Sequence, residues 1–97
     1  MNNTKKCEYL VACESGNMSL IEKVNEQVKG VPSDIKQEGL EIACSCGNKK
    51  VVEYILKNSC RGDIDKEPCI RIATKKGYAN IVVSLITDSF KYNPHMQ

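Results

Sequence analysis

Apolar and small residues recur in the same short order three times along the chain. The stretches "YLVACESGN", "LEIACSCGN" and "IRIATKKGY" begin at Tyr9, Leu40 and Ile70, so that successive copies are 31 and 30 residues apart. Repeat periods of 20–50 residues are typical of proteins built from stacked structural units. The pattern therefore predicts three copies of one unit in this chain.

Each copy is predicted to form two helices joined by a tight turn. The first helices are expected at about 5–15, 34–46 and 67–76, with Asp34 and Asp65 as N-caps of the second and third. A glycine ends each of them, because glycine takes the left-handed conformation without a Cβ penalty: Gly16, Gly47 and Gly77. The second helix carries apolar residues on one face, as in Val51, Val52 and Ile55.

Length, charge and hydropathy exclude several classes of protein. A chain of 97 residues is long enough for one domain. Its formal charge of +2 comes from 14 basic and 12 acidic residues that are interspersed, whereas nucleic-acid binders usually carry a clustered basic footprint. The N-terminal stretch "MNNTKK" lacks an apolar h-region, so we expect no secretory signal, and no apolar run is long enough to span a membrane. We therefore expect a cytoplasmic protein, in the host cytoplasm if the source is a virus or parasite.

The six cysteines do not form a metal-binding or disulfide pattern. The chain has no C-x-x-C pair, and its only histidine, His95, follows a proline in a polar tail. Reduced thiols are expected, with Cys13 and Cys44 buried and with Cys46 and Cys60 exposed. Because no nucleophile–base set, paired carboxylates or phosphate loop is present either, we expect no enzymatic activity, no metal and no cofactor.

The stretch "LEIACSCGNKKVVEYILKNS" resembles an ankyrin repeat. The resemblance rests on Leu40, Ile42, Ala43, Cys44, Gly47, Val51, Val52, Ile55 and Leu56, whereas the family's Thr-Pro-Leu-His tetrapeptide is missing. It implies an all-α, ankyrin-like solenoid of three stacked helix-turn-helix repeats with short irregular inter-repeat loops. A single domain would then span 1–97, with repeats at about 5–33, 34–64 and 65–90 and a tail at 91–97.

The resemblance also implies a protein-protein interaction module. Its partner would bind the concave face formed by the first helices and the loops, here Lys6, Leu10, Glu14, Ser15, Gln37, Glu41, Ser45, Cys46, Glu67, Arg71, Lys75 and Lys76. One alternative is a self-associating unit, a homo-oligomer held together by exposed end faces that carry Cys7, Tyr9 and Leu10 on one side and Ile86 and Phe90 on the other. Another is a nucleic-acid or acidic-ligand binder that uses the lysine doublets at 5–6, 49–50 and 75–76.

Overall fold

A computed structural model describes residues 2–59 and 62–91, and it describes side chains as far as Asp88. Six helices account for most of this part of the chain: α1 (Asn3–Ser15), α2 (Met18–Gln27), α3 (Ser33–Cys46), α4 (Lys49–Lys57), α5 (Lys66–Lys76) and α6 (Ala79–Lys91). The described residues contain no strand. The predicted all-helical class is therefore confirmed.

The helices pack in consecutive pairs, and the pairs pack against one another. Helix α1 contacts α2, α3 contacts α4, and α5 contacts α6. Between pairs, α1 contacts α3 and α3 contacts α5, while α4 also contacts α6. The first helices of the three predicted copies thus lie side by side, and one hydrophobic core extends through all six helices.

The turns within the pairs follow the sequence prediction. Gly16, Gly47 and Gly77 have φ values of +76°, +76° and +82°, the left-handed conformation that ends a helix. Each glycine N–H bonds to a carbonyl of the last turn, as from Gly16 to the Ala12 carbonyl at 2.8 Å. The predicted helix ends are confirmed at these three positions.

One of the two predicted N-caps is confirmed and the other is wrong. The Asp65 carboxylate accepts a hydrogen bond from the Glu67 N–H at 3.1 Å and caps α5. Helix α3 already begins at Ser33, directly after Pro32, so Asp34 lies inside its first turn. A carboxylate there still interacts favourably with the helix dipole.

Tyr9 was expected to be partly exposed and is instead buried, with 2% of its surface accessible. The reason lies in the neighbouring helix, where Gly39 has no side chain. A Cβ at Gly39 would lie 2.8 Å from the Tyr9 ring and 2.8 Å from the Cys13 Sγ. The glycine therefore makes the room that the Tyr9 ring fills. Of the other residues expected at the ends, Cys7 and Ile86 are exposed and Leu10 is half-buried, while the Phe90 side chain lies outside the described part.

The burial predicted for Cys13 and Cys44 and the exposure predicted for Cys46 are confirmed. Cys13, Cys44 and Cys69 are buried free thiols, and Cys7 and Cys46 are exposed free thiols. Burial raises the pKa of Cys13 to about 12. A hydrogen bond with the Cys44 thiol, together with burial, raises the pKa of Cys69. Cys60 lies outside the described residues.

Candidate interaction surface

The twelve residues predicted to bind a partner lie on α1, α3 and α5, four on each helix. They occupy equivalent positions of the three copies, so each position gives a row of three residues that crosses the helices. The rows are Lys6, Gln37 and Glu67; Leu10, Glu41 and Arg71; Glu14, Ser45 and Lys75; and Ser15, Cys46 and Lys76. We call this set the first-helix flank.

Most of the first-helix flank is accessible to a partner. Seven of its residues are exposed: Glu14, Ser15, Cys46, Glu67, Arg71, Lys75 and Lys76. The other five are half-buried: Lys6, Leu10, Gln37, Glu41 and Ser45. The half-buried members are concentrated on α3, which has a helix on either side.

Gln37 uses its side-chain amide to join α3 to the start of α5. Its Nε2 donates to the Glu41 Oε2 at 2.7 Å and to the Asp65 carbonyl at 3.0 Å. Its Oε1 accepts from the Asp65 N–H at 2.8 Å. Because both ends of the amide are engaged, we assign Gln37 to holding the neighbouring flank residues in place.

At the carboxyl ends of the first helices, the charge of the flank changes sign from α1 to α5. At the carboxyl ends of the three helices, Glu14 on α1 is followed by the neutral Ser45 on α3 and by Lys75 and Lys76 on α5. Two exposed ion pairs lie on the opposite part of the flank, Lys6 with Glu38 at 3.9 Å and Arg71 with Glu67 at 3.2 Å. Exposed pairs of this kind contribute little to stability, so their charges remain available to a partner.

A shallow depression of about 290 Å³ adjoins the flank at the turns of the first two helix pairs. Its lining includes Ser15 from the flank together with Lys49 and Lys50 at the start of α4. Lys49 lies 3.6 Å from the Glu53 carboxylate. The depression therefore extends the flank toward a basic helix start.

The residue after the turn glycine joins one pair to the pair before it, a role that the sequence analysis missed. Asn48 Nδ2 donates to the carbonyls of Cys13 and Glu14 at 2.7 and 2.8 Å, at the last turn of α1. Its side chain lies directly over Gly16, where a Cβ would come within 3.2 Å of Asn48 Oδ1. We call this contact the turn junction.

The second turn junction uses a ring in place of an amide. Tyr78, the equivalent of Asn48, lies over Gly47, and a Cβ at Gly47 would lie 2.9 Å from the ring. Each turn glycine that has a following pair is thus covered by that pair. The common spacing of the residue after the glycine was visible in the sequence and was the signal for this contact.

A second repeated contact was also missed. Lys5, Lys36 and Lys66 are separated by the same 31 and 30 residues as the copies themselves. Each reaches the end of its own second helix: Lys5 to Gln27 Oε1 at 2.5 Å, Lys36 to the Asn58 carbonyl at 3.3 Å, and Lys66 to Asp88 Oδ2 at 3.1 Å. In each pair, this lysine therefore connects the start of the first helix to the end of the second helix.

Three lysines of the doublets lie close to acidic side chains. Lys5, Lys6 and Lys49 each lie within 4.0 Å of a carboxylate, those of Glu8, Glu38 and Glu53.

The described residues contain neither a cluster of metal ligands nor a helix that could span a membrane. Within residues 2–59 and 62–91, no three His, Cys, Asp or Glu side chains lie close enough together to hold one metal ion. In the same residues, no helix combines the length and the apolar character that crossing a membrane requires.

Comparison of the chain with protein-family models, with curated proteins and with solved structures finds no match. The class of protein that the described residues define is thus an all-helical one made of three consecutive helix pairs. The ankyrin-repeat family stays a prediction from the sequence.

Proposed function

We propose that this chain is a non-enzymatic protein-interaction module of the ankyrin-like solenoid kind, which binds its partner through the first-helix flank. The observation that carries the proposal is the ordered set of rows across α1, α3 and α5. Seven exposed side chains give a partner an extended surface whose carboxyl-terminal rows run from the acidic Glu14 on α1 to the basic Lys75 and Lys76 on α5. Stacked repeats commonly bind proteins on an extended surface of this kind.

The contacts beneath the flank favour binding without a large rearrangement. Gln37 fixes α5 against α3, and Asn48 fixes the second pair against the last turn of α1. A surface that is already ordered loses less conformational entropy on binding. The partner that fits this surface carries a basic group opposite Glu14 and acidic groups opposite Lys75 and Lys76.

The experiment is affinity capture from lysate with three forms of the chain, followed by mass spectrometry. The flank variant carries Glu14→Lys, Arg71→Glu and Lys75→Glu, all at exposed positions. The control variant carries Glu26→Lys, Lys23→Glu and Lys57→Glu, which are exposed positions of the second helices. Both variants change the net charge by the same amount, because each reverses one acidic and two basic residues.

We expect a protein that the unmodified chain and the control variant capture and that the flank variant loses. Direct titration of that protein should then show at least a tenfold weaker affinity for the flank variant, about 1.4 kcal/mol. Circular dichroism of each variant establishes that the helices are retained. If all three forms capture the same proteins equally and keep their helices, the first-helix flank is not the binding surface.

A further inference from the structure

Neighbouring helix pairs contact each other through two complementary surfaces. One of these surfaces lies uncovered at each end of the molecule. On α5 and α6, Ile70, Thr74, Val82 and Ile86 occupy the positions that Leu40, Cys44, Val52 and Leu56 occupy one copy earlier. The earlier four are all buried, whereas Thr74 and Ile86 are exposed and Ile70 and Val82 are half-buried. We call Ile70, Thr74, Val82 and Ile86 the α5–α6 end face.

The other end shows the complementary half. Thr4, Glu8, Val11 and Leu20 occupy the positions of Ile35, Gly39, Ile42 and Val51 in the second copy, where Gly39 packs on Tyr9 and Cys13 of the first. We call Thr4, Glu8, Val11 and Leu20 the α1–α2 end face. All four line one depression of about 500 Å³.

The exposed apolar side chains coincide with these ends. Within the described part of the chain, the large hydrophobic residues that are exposed are Val11 at 60%, Val83 at 61% and Ile86 at 40%. Val11 belongs to the α1–α2 end face and Ile86 to the α5–α6 end face. Val83 lies next to the latter, in a depression of about 310 Å³ that Thr74, Gly77 and Val82 also line.

The two partners of a turn junction, a turn glycine and the residue that covers it, are also found at opposite ends of the molecule. Gly77 has the left-handed conformation of the other two turn glycines, but a Cβ placed there would meet nothing within 4 Å. At the opposite end, Asn17 is the equivalent of Asn48. Its Oδ1 accepts from the Leu20 N–H at 3.1 Å, while its Nδ2 donates no hydrogen bond to any residue that the structure describes.

From these observations we propose that a second copy of the chain docks head to tail, with its α1–α2 end face on the α5–α6 end face of the first. Asn17 of the incoming copy then lies over Gly77 and donates to the carbonyls of Thr74 and Lys75, as Asn48 does to Cys13 and Glu14. The Thr74 carbonyl already accepts from the Gly77 N–H at 3.1 Å and has a second lone pair for this bond.

A polar pair completes the fit. Glu8 Oε2 is buried and accepts no hydrogen bond from the described residues, although Lys5 Nζ lies 3.3 Å away. Glu8 is the equivalent of Gly39, which packs against Cys13, and Thr74 is the equivalent of Cys13. Head-to-tail docking therefore places the Thr74 hydroxyl beside the Glu8 carboxylate, where it can donate a hydrogen bond in addition to the charge of the Lys5 ammonium.

This contact is heterologous, so each copy keeps one open end and the assembly grows with concentration. Sedimentation velocity from about 10 µM to about 1 mM should show a mass that rises continuously beyond that of one chain. Asn17→Asp keeps the helix-capping oxygen and removes the amide donor, so association should weaken about tenfold with no loss of thermal stability. A chain that stays monomeric over this range would overturn the proposal and leave the ends for another partner.

Blocking one end at a time tests the polarity of the contact. Val11→Lys and Thr74→Glu should each abolish growth alone, and an equimolar mixture should associate again, because each variant keeps the face that the other has lost. Thr87→Glu, another exposed position of the last pair, is the matched control and should behave as the unmodified chain. Self-association of either blocked variant alone, or a mixture that stays monomeric, would contradict head-to-tail docking.

Discussion

The middle helix pair and the last one use the same residue type at an equivalent position but bury it differently. Val52 is completely buried, whereas Val82 is half-buried on the α5–α6 end face. The two residues differ in their neighbours, because α4 is covered by α6 and α6 has no further helix beside it among the described residues. Burial in this molecule therefore depends on whether another pair follows.

The turn glycines show the same difference between an interior position and an end position, although a glycine has no side chain to bury. Gly47 and Gly77 have almost the same backbone conformation, with φ of +76° and +82°. Over Gly47 lies the Tyr78 ring, and over Gly77 there is nothing within 4 Å. A repeated sequence thus specifies each turn by itself, and only the neighbouring pair turns it into a close contact.

The largest expected effect is a loss of folding stability at alkaline pH, which comes from groups buried in the interior of the molecule and not from its ends. The interior holds Cys13 and Tyr9, and burial raises the pKa of both side chains. The folded state keeps these protons when the unfolded state has lost them, so their contribution is complete below pH 9 and is lost above it. For Cys13 the loss runs from pH 9 to about 12, at about 1.4 kcal/mol per pH unit.

Urea unfolding followed by circular dichroism, in reducing buffer at several values from about pH 8 to about pH 11, measures this loss. In Cys13→Ala the decline should be shallower, since one of the titrating groups is gone. Thr87→Ala, a change at an exposed residue that does not titrate, provides the control and should leave the slope unchanged. Stability that does not fall above pH 9 would contradict the assignment.

A smaller effect separates the two turn glycines. Alanine at either position should lose about 1 kcal/mol through the left-handed backbone alone. At Gly47 the new Cβ would also come within 2.9 Å of the Tyr78 ring, which should raise the total to about 3 kcal/mol. The free energies of unfolding of Gly47→Ala and Gly77→Ala, compared directly, test this difference. Equal losses would mean that the ring moves aside without cost.

The repeated framework could be predicted from the sequence because every copy carries it locally. The glycine that ends α1, α3 and α5 is fixed by backbone conformation, and apolar spacing predicts the buried side of each helix. Burial of Cys13 and Cys44 followed from the same register. The rows of the first-helix flank follow from the same repeat spacing, although five of their twelve residues are half-buried.

Contacts between residues far apart in the sequence could not be predicted in this way. Tyr9 was expected to be partly exposed, and this was wrong because its burial depends on Gly39, 30 positions away. Gln37 was placed among the binding residues, although its amide is engaged by Asp65, 28 positions away. The lysines at 5, 36 and 66 shared the repeat spacing, but their partners on the second helices differ: an amide, a carbonyl and a carboxylate. Register alone does not indicate such a pairing.

The smallest effect tests the opening comparison itself. Val52→Ala removes two methyl groups from a fully buried site and should lower the free energy of unfolding by about 2 kcal/mol, from the lost burial and the cavity left behind. At the half-buried Val82 the same change should lower it by less than about 1 kcal/mol in dilute solution. At concentrations where copies dock head to tail, the loss for Val82→Ala should rise toward that for Val52→Ala, because docking buries the second valine as the third pair buries the first. Denaturation curves at about 5 µM and about 500 µM would show whether the gap between the two variants closes, and a gap that stays constant would mean that the α5–α6 end face remains open.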